Sequence, residues 1–151
     1  MHIVKLDRPP GLAPPGEVRH DLSMSQLETP ITHRYWERVG GTLIVEFLAV
    51  PSSPGVGRRL LDGLIVFDGQ NRITKSQNVS LDGHVVIVVQ TKATRLGMSL
   101  LGQALFSRLL IEERFSARSV RSVALCTADD LILRPLADRF GIEVVVDTPA
   151  K

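Results

Sequence analysis

The scarcity of several residue types excludes classes of protein for this chain. One cysteine, Cys126, leaves no intramolecular disulfide and no zinc site built from several cysteines. No apolar run approaches the roughly 18 residues needed to span a bilayer, and prolines and charges interrupt the N-terminal segment, so no signal peptide is indicated. The four histidines lack the spacing of zinc ligands. We therefore expect a cytoplasmic protein with no membrane partner.

What the chain does contain is typical of one globular domain. Its 151 residues are 44% hydrophobic and 23% charged, which is enough to bury a core. The net charge of +2 permits a nucleic-acid partner without arguing for one. Four prolines and two glycines between residues 8 and 16 predict an irregular N-terminal arm over residues 1–28. Residues 29–151 are then predicted to form a single domain.

Apolar patterns and turn residues place helices and strands along that domain. Thr29 is a predicted N-cap with Pro30 in the first helical position, and Gly40 and Gly41 end this helix. The other predicted elements are strands 42–50 and 58–68, a polar loop over 69–83, strand 84–93, helix 97–115, strand 120–126, a helix capped by Thr127 and interrupted at Pro135, and strand 142–147. Because short links usually join antiparallel neighbours, the first three strands are expected to pair antiparallel. The order helix, three antiparallel strands, helix, strand, helix, strand predicts an α/β fold with a mixed central β-sheet flanked by α-helices.

The third strand ends in an unexpected way. Five β-branched apolar residues, 85–89, predict a strand buried on both faces, yet they run directly into Gln90, Thr91 and Lys92. Gln90 and Lys92 are two positions apart and share one face of a strand. Because desolvating a lysine is costly without a nearby anion, the rest of the chain should supply that anion.

Strand pairing predicts where the anion comes from. If the turn after the first strand is symmetric, Glu46 falls opposite Asp62. If the longer loop after the second strand is symmetric, Asp62 falls opposite Gln90 or Lys92. These four residues would then form a polar row across three neighbouring strands. A slip of one residue would move each side chain to the other face.

Two carboxylates and a lysine in one row suit phosphodiester hydrolysis. Carboxylate oxygens bind Mg²⁺, which polarises a phosphate and lowers the pKa of an attacking water. The amide oxygen of Gln90 and the backbone carbonyl of Thr91 would complete the coordination. Lys92 would orient the water or help to deprotonate it, and would screen the charge of the transition state.

The segments RRLLDGLIV and VVIVVQTKA, with the predicted element order, resemble the PD-(D/E)XK, or restriction-endonuclease-like, nuclease superfamily. The resemblance implies that Asp62 binds the metal, that Gln90 occupies the (D/E) position and that Lys92 is the catalytic lysine. Glu46, or else Glu37 on the first helix, would be the additional acid that many members supply from upstream. The chain departs from the superfamily pattern at Gln90, because a neutral amide is a poorer metal ligand than a carboxylate.

The resemblance covers roughly residues 29–147 and implies a cofactor and partners. The cofactor would be Mg²⁺ or Mn²⁺, and the substrate would be a nucleic acid, with DNA expected before RNA. Many members of the superfamily act as dimers, so a homodimer is one expectation. The residues expected to contact nucleic acid are Arg58, Arg59, Arg95 and Gln103.

Other interpretations of the same residues stay open at this point. A catalytically inactive relative would keep the fold and bind nucleic acid or a protein, and Gln90 favours that alternative. In an unrelated α/β protein the row would be a buried salt-bridge cluster. Asp62 would then pair with Arg58 or Arg59, and Lys92 would extend to solvent from the strand end.

Overall fold

The computed structural model describes residues 19–148, which form one six-stranded sheet and three helices. The elements are α1 (Arg19–Val39), β1 (Thr42–Val50), β2 (Arg59–Val66), β3 (Arg72–Thr74), β4 (Val85–Thr91), α2 (Met98–Arg114), β5 (Ser119–Cys126), α3 (Leu133–Arg139) and β6 (Ile142–Val146). The strand order is β3-β1-β2-β4-β5-β6, in which β2 is antiparallel to both of its neighbours, β1 and β4, and every other neighbouring pair is parallel. The predicted α/β class with a mixed central sheet is therefore confirmed.

The predicted registers of the first three long strands are confirmed as well. In the β1–β2 ladder Val45 pairs with Gly63, and the next pair continues the same register, so Glu46 lies opposite Asp62. In the β2–β4 ladder Gly63 pairs with Val89. Continued by one residue, this register places Asp62 opposite Gln90 rather than Lys92.

The two faces of the sheet are buried by different helices. Val88 of β4 belongs to an apolar cluster that includes Ile111 of α2. Val89 belongs to a cluster on the opposite face that includes Ile31 of α1. Both faces of β4 are dry, which explains why residues 85–89 are apolar without alternation. Helix α3 packs with β5 and β6 in a third cluster.

Helix α1 is fixed to the sheet at two places. The hydroxyl groups of Thr32 and Thr91 form a buried hydrogen bond of 2.8 Å between α1 and β4. Gly63 of β2 permits this close approach, because a Cβ there would lie 3.3 Å from the Thr32 methyl group. Further along α1, Arg34 donates two hydrogen bonds, of 3.0 and 2.7 Å, to the carboxylate of Asp147.

The predicted start of the first helix was wrong. The helix begins at Arg19 rather than at Thr29, so residues 19–28 of the predicted irregular arm are helical, and Pro30 lies inside the helix. Proline removes one helical hydrogen bond, but Pro30 is exposed, so the freed carbonyl four residues earlier can bind water. Residues 1–18 of the predicted arm lie outside the described residues.

Two shorter elements also differ from their predictions. Arg72–Thr74, predicted as loop, forms the short edge strand β3 beside β1. Helix α3 begins at Leu133 and not after Thr127. The carboxylate of Asp130 accepts hydrogen bonds of 2.9 Å from the backbone of Ile132 and Leu133, and Pro135 falls in the first turn, where its missing donor has no helical partner to lose.

Candidate active site

The alternation of side chains along β1 breaks at Glu46. Val45 packs with the apolar cluster beneath α1, whereas Phe47 belongs to the cluster beneath α2. Residues two apart on a regular strand share a face, so the chain turns over between them. Glu46 adopts a φ of 53°, in the left-handed region that a side chain disfavours, and such a residue costs roughly 1–3 kcal/mol. Strain of this size at a charged residue points to a functional position.

Gln77 stabilises the break from the outer edge of the sheet. Its side-chain oxygen accepts a hydrogen bond of 2.8 Å from the backbone N–H of Leu48, and its amide nitrogen donates to the Glu46 carbonyl at 3.4 Å. Sequence analysis placed Gln77 in a polar loop and gave no signal for this role, because the contact joins residues 31 positions apart.

Two cavities near Glu46 share the lining residues Glu28 and Asp62. The first, of about 380 Å³, lies on the α2 side and is called here the α2-side cavity. The second, of about 480 Å³, lies on the α1 side and is called the α1-side cavity. Gln90 and Lys92 line the α2-side cavity, Glu46 lines the α1-side cavity, and Asp62 lines both. The predicted row is therefore divided: Glu46 does not share a face with Gln90 and Lys92, because β1 turns over at that residue.

Glu28 is the carboxylate that the sequence interpretation missed. It projects from α1 and lines both cavities beside Asp62. Its Oε2 atom is buried and has no hydrogen-bond partner among the described residues. Burial raises the pKa of Glu28, and the negative charge of Asp62 raises it further; Lys92 and a backbone hydrogen bond from Ala93 act against this rise.

A signal for Glu28 was present in the sequence. Glu28, Thr32 and Tyr35 are spaced four and three residues apart, which is the repeat of one helix face, and Thr32 and Tyr35 are buried. Assigning the helix start to Thr29 and Pro30 concealed this repeat, because it placed Glu28 in the arm.

Asp62 occupies the boundary between the two cavities. Its Oδ2 atom accepts a hydrogen bond of 2.8 Å from the backbone N–H of Thr91. Asp62 remains exposed to solvent where it borders the cavities, but surrounding protein atoms partly desolvate the carboxylate and raise its pKa; the Thr91 hydrogen bond and Lys92 lower it, and Glu46 raises it. No ion pair joins Asp62 to Arg58 or Arg59 within residues 19–148, so the structural pairing considered for this aspartate is not formed.

The end of β4 presents two polar groups, Gln90 and Lys92, to the α2-side cavity. Gln90 is 5% exposed and donates a hydrogen bond of 2.7 Å from Nε2 to the Ser107 hydroxyl of α2. This bond orients the amide and leaves its oxygen for another partner. Lys92 is half-buried, and its charge lowers the pKa of both Glu28 and Asp62. The positive charge of the lysine therefore acts on both carboxylates.

Only some of the residues predicted to contact nucleic acid lie at this site. Arg59 and Gln103 line the α2-side cavity, whereas Arg58 is exposed outside it. Arg95 donates to the Asp129 carbonyl before α3 and so lies away from the cavity. Glu37, the alternative acid on the first helix, lines a different cavity and is not part of this site. Glu37 lies more than two turns along α1 from Glu28, which places it away from Asp62.

The donor set fits a hard divalent cation only if groups other than carboxylates contribute. Within residues 19–148 no group of three or more histidine, cysteine, aspartate or glutamate side chains is arranged to hold a metal. Glu28 and Asp62 supply two carboxylates, and the free oxygen of Glu28 is buried without a partner. The Gln90 amide and the Thr91 backbone would have to supply further oxygen ligands, which Mg²⁺ accepts together with water.

Comparisons with known proteins give no family for this chain. A scan against protein-family models, a search of curated proteins and a search of solved structures each find no match. In the described part of the chain, no helix is both long enough and apolar enough to cross a membrane. Any functional conclusion therefore depends on the geometry of the site itself.

The raised pKa values of Glu28 and Asp62 predict how stability depends on pH. Both carboxyl groups bind a proton more tightly in the folded protein than in the unfolded chain, whose ordinary values are 4.5 and 3.8. At pH values between the ordinary and the raised pKa values, the folded protein binds more protons than the unfolded chain. The contribution of these two carboxyl groups to the free energy of unfolding therefore falls as pH rises. We expect the melting temperature of Glu28→Gln, measured with a chelator, to rise relative to wild type as pH increases from about 4 to about 7. A difference that is constant over this range would contradict the assignment.

Proposed function

We propose that this protein is a divalent-metal-dependent nuclease with a restriction-endonuclease-like core. The observation that supports this most is the meeting of Glu28, Asp62 and Lys92 at the end of β4. Two carboxylates from different elements carry raised pKa values, and one oxygen of Glu28 is buried without a hydrogen-bond partner among the described residues. Titratable groups perturbed in this way and gathered in a cleft are characteristic of catalytic sites.

The proposed cofactor is Mg²⁺ or Mn²⁺. Glu28 and Asp62 would hold it through carboxylate oxygens, and the Gln90 amide oxygen and the Thr91 backbone carbonyl would complete the protein ligands. When bound, the ion would polarise the scissile phosphate and lower the pKa of a water molecule. Glu28 takes the place that the sequence interpretation gave to Glu46 or Glu37. Glu46 is proposed to act through Asp62, whose pKa it raises.

Lys92 supplies the positive charge of the site. It lies on the same side as Gln90, in the α2-side cavity, and the residue is half-buried. There it would orient the attacking water and stabilise the negative charge that develops on the phosphate. Arg59 lines the same cavity and would contact a neighbouring phosphate. A nucleic acid, DNA in the first instance, is the proposed substrate.

A catalytically inactive member of the same fold is the second candidate. Gln90 favours it, because the side chain is neutral and its amide nitrogen is already held by Ser107. In that case the cavities would bind nucleic acid or a protein without hydrolysis.

Metal-dependent cleavage separates the two candidates. Mn²⁺ and Mg²⁺ are titrated calorimetrically into the wild-type protein, and the same samples are incubated with plasmid DNA, single-stranded DNA and RNA. We expect metal binding at millimolar concentration or below, and strand cleavage that a chelator abolishes. DNA binding without metal binding or cleavage would exclude the nuclease and favour the inactive relative. Absence of metal binding, cleavage and nucleic-acid binding would contradict the nuclease and leave, of the second candidate, only a protein-binding role.

A further inference from the structure

The wall of the α2-side cavity carries an exposed aromatic side chain next to an unfilled space. Phe106 of α2 is 63% exposed, although it lines the cavity that holds Asp62 and Lys92. Gly102 lies one helical turn before Phe106 and lines the same wall. An aromatic ring and a bare stretch of helix backbone are thus adjacent on one face of α2.

Gly102 is not required by the fold. Glycine in the interior of a helix is less stable than alanine. Apart from the backbone of its own helix, a Cβ atom at this position would meet no described atom within 4 Å, so packing among the described residues does not demand the glycine. The absent side chain instead keeps the cavity wide beside Phe106, as expected where a ligand approaches the helix backbone.

We propose that Phe106 is a stacking platform for one unpaired nucleotide base, which lies over Gly102 while the adjoining phosphate reaches the carboxylates. This inference rests on the proposed function and specifies its substrate as single-stranded nucleic acid or a strand with an unpaired nucleotide at the cleavage position. A base within an intact duplex is already stacked on its neighbours, whereas an unpaired base presents both faces.

The charges in the same cavity favour this occupant over an apolar protein segment. Arg59 and Lys92 line the cavity and would neutralise phosphates on either side of the stacked base. Gln103, also in the lining, offers an amide for hydrogen bonds to a base edge. An aromatic face flanked by cations is the usual composition of a groove for single strands.

Binding measurements on matched variants test the platform. Phe106→Ala and Phe140→Ala are each combined with Asp62→Asn, so that the oligonucleotide stays intact. Phe140 is 57% exposed but lies at the end of α3, outside this cavity. Dissociation constants are measured by fluorescence anisotropy with a labelled oligodeoxythymidylate and with a duplex of the same length. Stacking of one base predicts an affinity loss of about tenfold or more for the single strand with Phe106→Ala, and less than about twofold for the duplex or with Phe140→Ala.

Two further variants separate stacking from general effects on the fold. Gly102→Leu fills the space beside the ring and should weaken single-strand binding while the melting temperature stays the same or rises. Phe106→Trp retains a flat aromatic face and should keep affinity within about threefold of the parent. Phe106→Leu binding as tightly as the parent would overturn the assignment of a stacking platform.

The outcomes distinguish this inference from the proposed function. Wild-type cleavage with single-strand affinity unaffected by Phe106→Ala would retain the nuclease and overturn the platform. Single-strand binding that depends on Phe106, in a protein that cleaves nothing, would retain the platform and reject the nuclease. Equal losses for duplex and single strand, or a change of oligomeric state with unchanged DNA affinity, would also overturn the platform.

Discussion

Replacing Asp62 by asparagine is expected to abolish metal-dependent cleavage, by roughly a thousandfold or more, without unfolding the protein. A bound metal contributes several kcal/mol to transition-state stabilisation, and about 1.4 kcal/mol corresponds to a factor of ten in rate. The amide oxygen of asparagine can still accept the hydrogen bond from the Thr91 backbone. Because desolvation raises the pKa of Asp62, removing its charge should raise the melting temperature at neutral pH in the absence of metal.

Asp68→Asn provides the matched control for that variant. Asp68 is an exposed aspartate beyond the end of β2, and it pairs with the His84 ring at 3.0 Å. The His84 ring lowers the pKa of Asp68, so loss of this charge should slightly lower stability and leave cleavage unchanged. Cleavage kinetics, metal titration and thermal unfolding are measured on the wild type and both variants. Full cleavage by Asp62→Asn would refute the proposed role of this carboxylate.

Replacing Gln90 by glutamate is expected to change stability in opposite directions with and without metal. Gln90 is 5% exposed and lies opposite Asp62. A third carboxylate there, without a counterion, leaves a buried charge that costs about 3–5 kcal/mol, or a fall in melting temperature of about 10 °C. With Mg²⁺ or Mn²⁺ the new carboxylate becomes a ligand, so the metal should bind about tenfold or more tightly and the loss of stability should shrink or reverse.

The control for this substitution is Gln103→Glu. Gln103 is exposed on α2 and lines the same cavity, so Gln103→Glu adds the same charge at a solvent-exposed residue that is not a proposed ligand. Thermal unfolding with a chelator and with increasing metal is compared for both variants. If Gln90→Glu lowers the melting temperature equally in both conditions, Gln90 serves to hold α2 through Ser107, and the inactive relative becomes the better description.

The strand framework of this protein was predictable because its local signals agree with its tertiary structure. Residues 85–89 are apolar because both of their faces are covered, and this pattern is visible without knowledge of the covering helices. The β1–β2 pairs follow the predicted register from Thr42 to Leu48, and a bulge between Leu48 and Val50 shifts it next to the turn. The predicted polar row depended on this register; Asp62 and Gln90 line one cavity, whereas the reversal at Glu46 divides the row.

The parts that were missed depend on contacts between distant residues. Pro30 has the properties of a helix start, whereas the helix begins at Arg19 and continues through the proline. The reversal of faces at Glu46 arises from a left-handed backbone conformation, which a glutamate in the sequence does not predict. Glu28 and Gln77 therefore escaped notice, although both help to build the site. The roles of Lys92 and Gln90 remain predictions.

The hydrogen bond between Thr32 and Thr91 joins α1 to β4, and the candidate site is complete only when these two elements are in contact. Glu28 lies one helical turn from Thr32, so the carboxylate reaches Asp62 only while α1 rests on β4. Any cation held by both carboxylates would then favour the seated helix. By thermodynamic reciprocity, whatever loosens α1 would weaken the affinity for that cation to the same extent. Docking of α1 and binding of the cation would thus be coupled, and the fraction of protein with bound cation would depend on how firmly α1 is docked on β4.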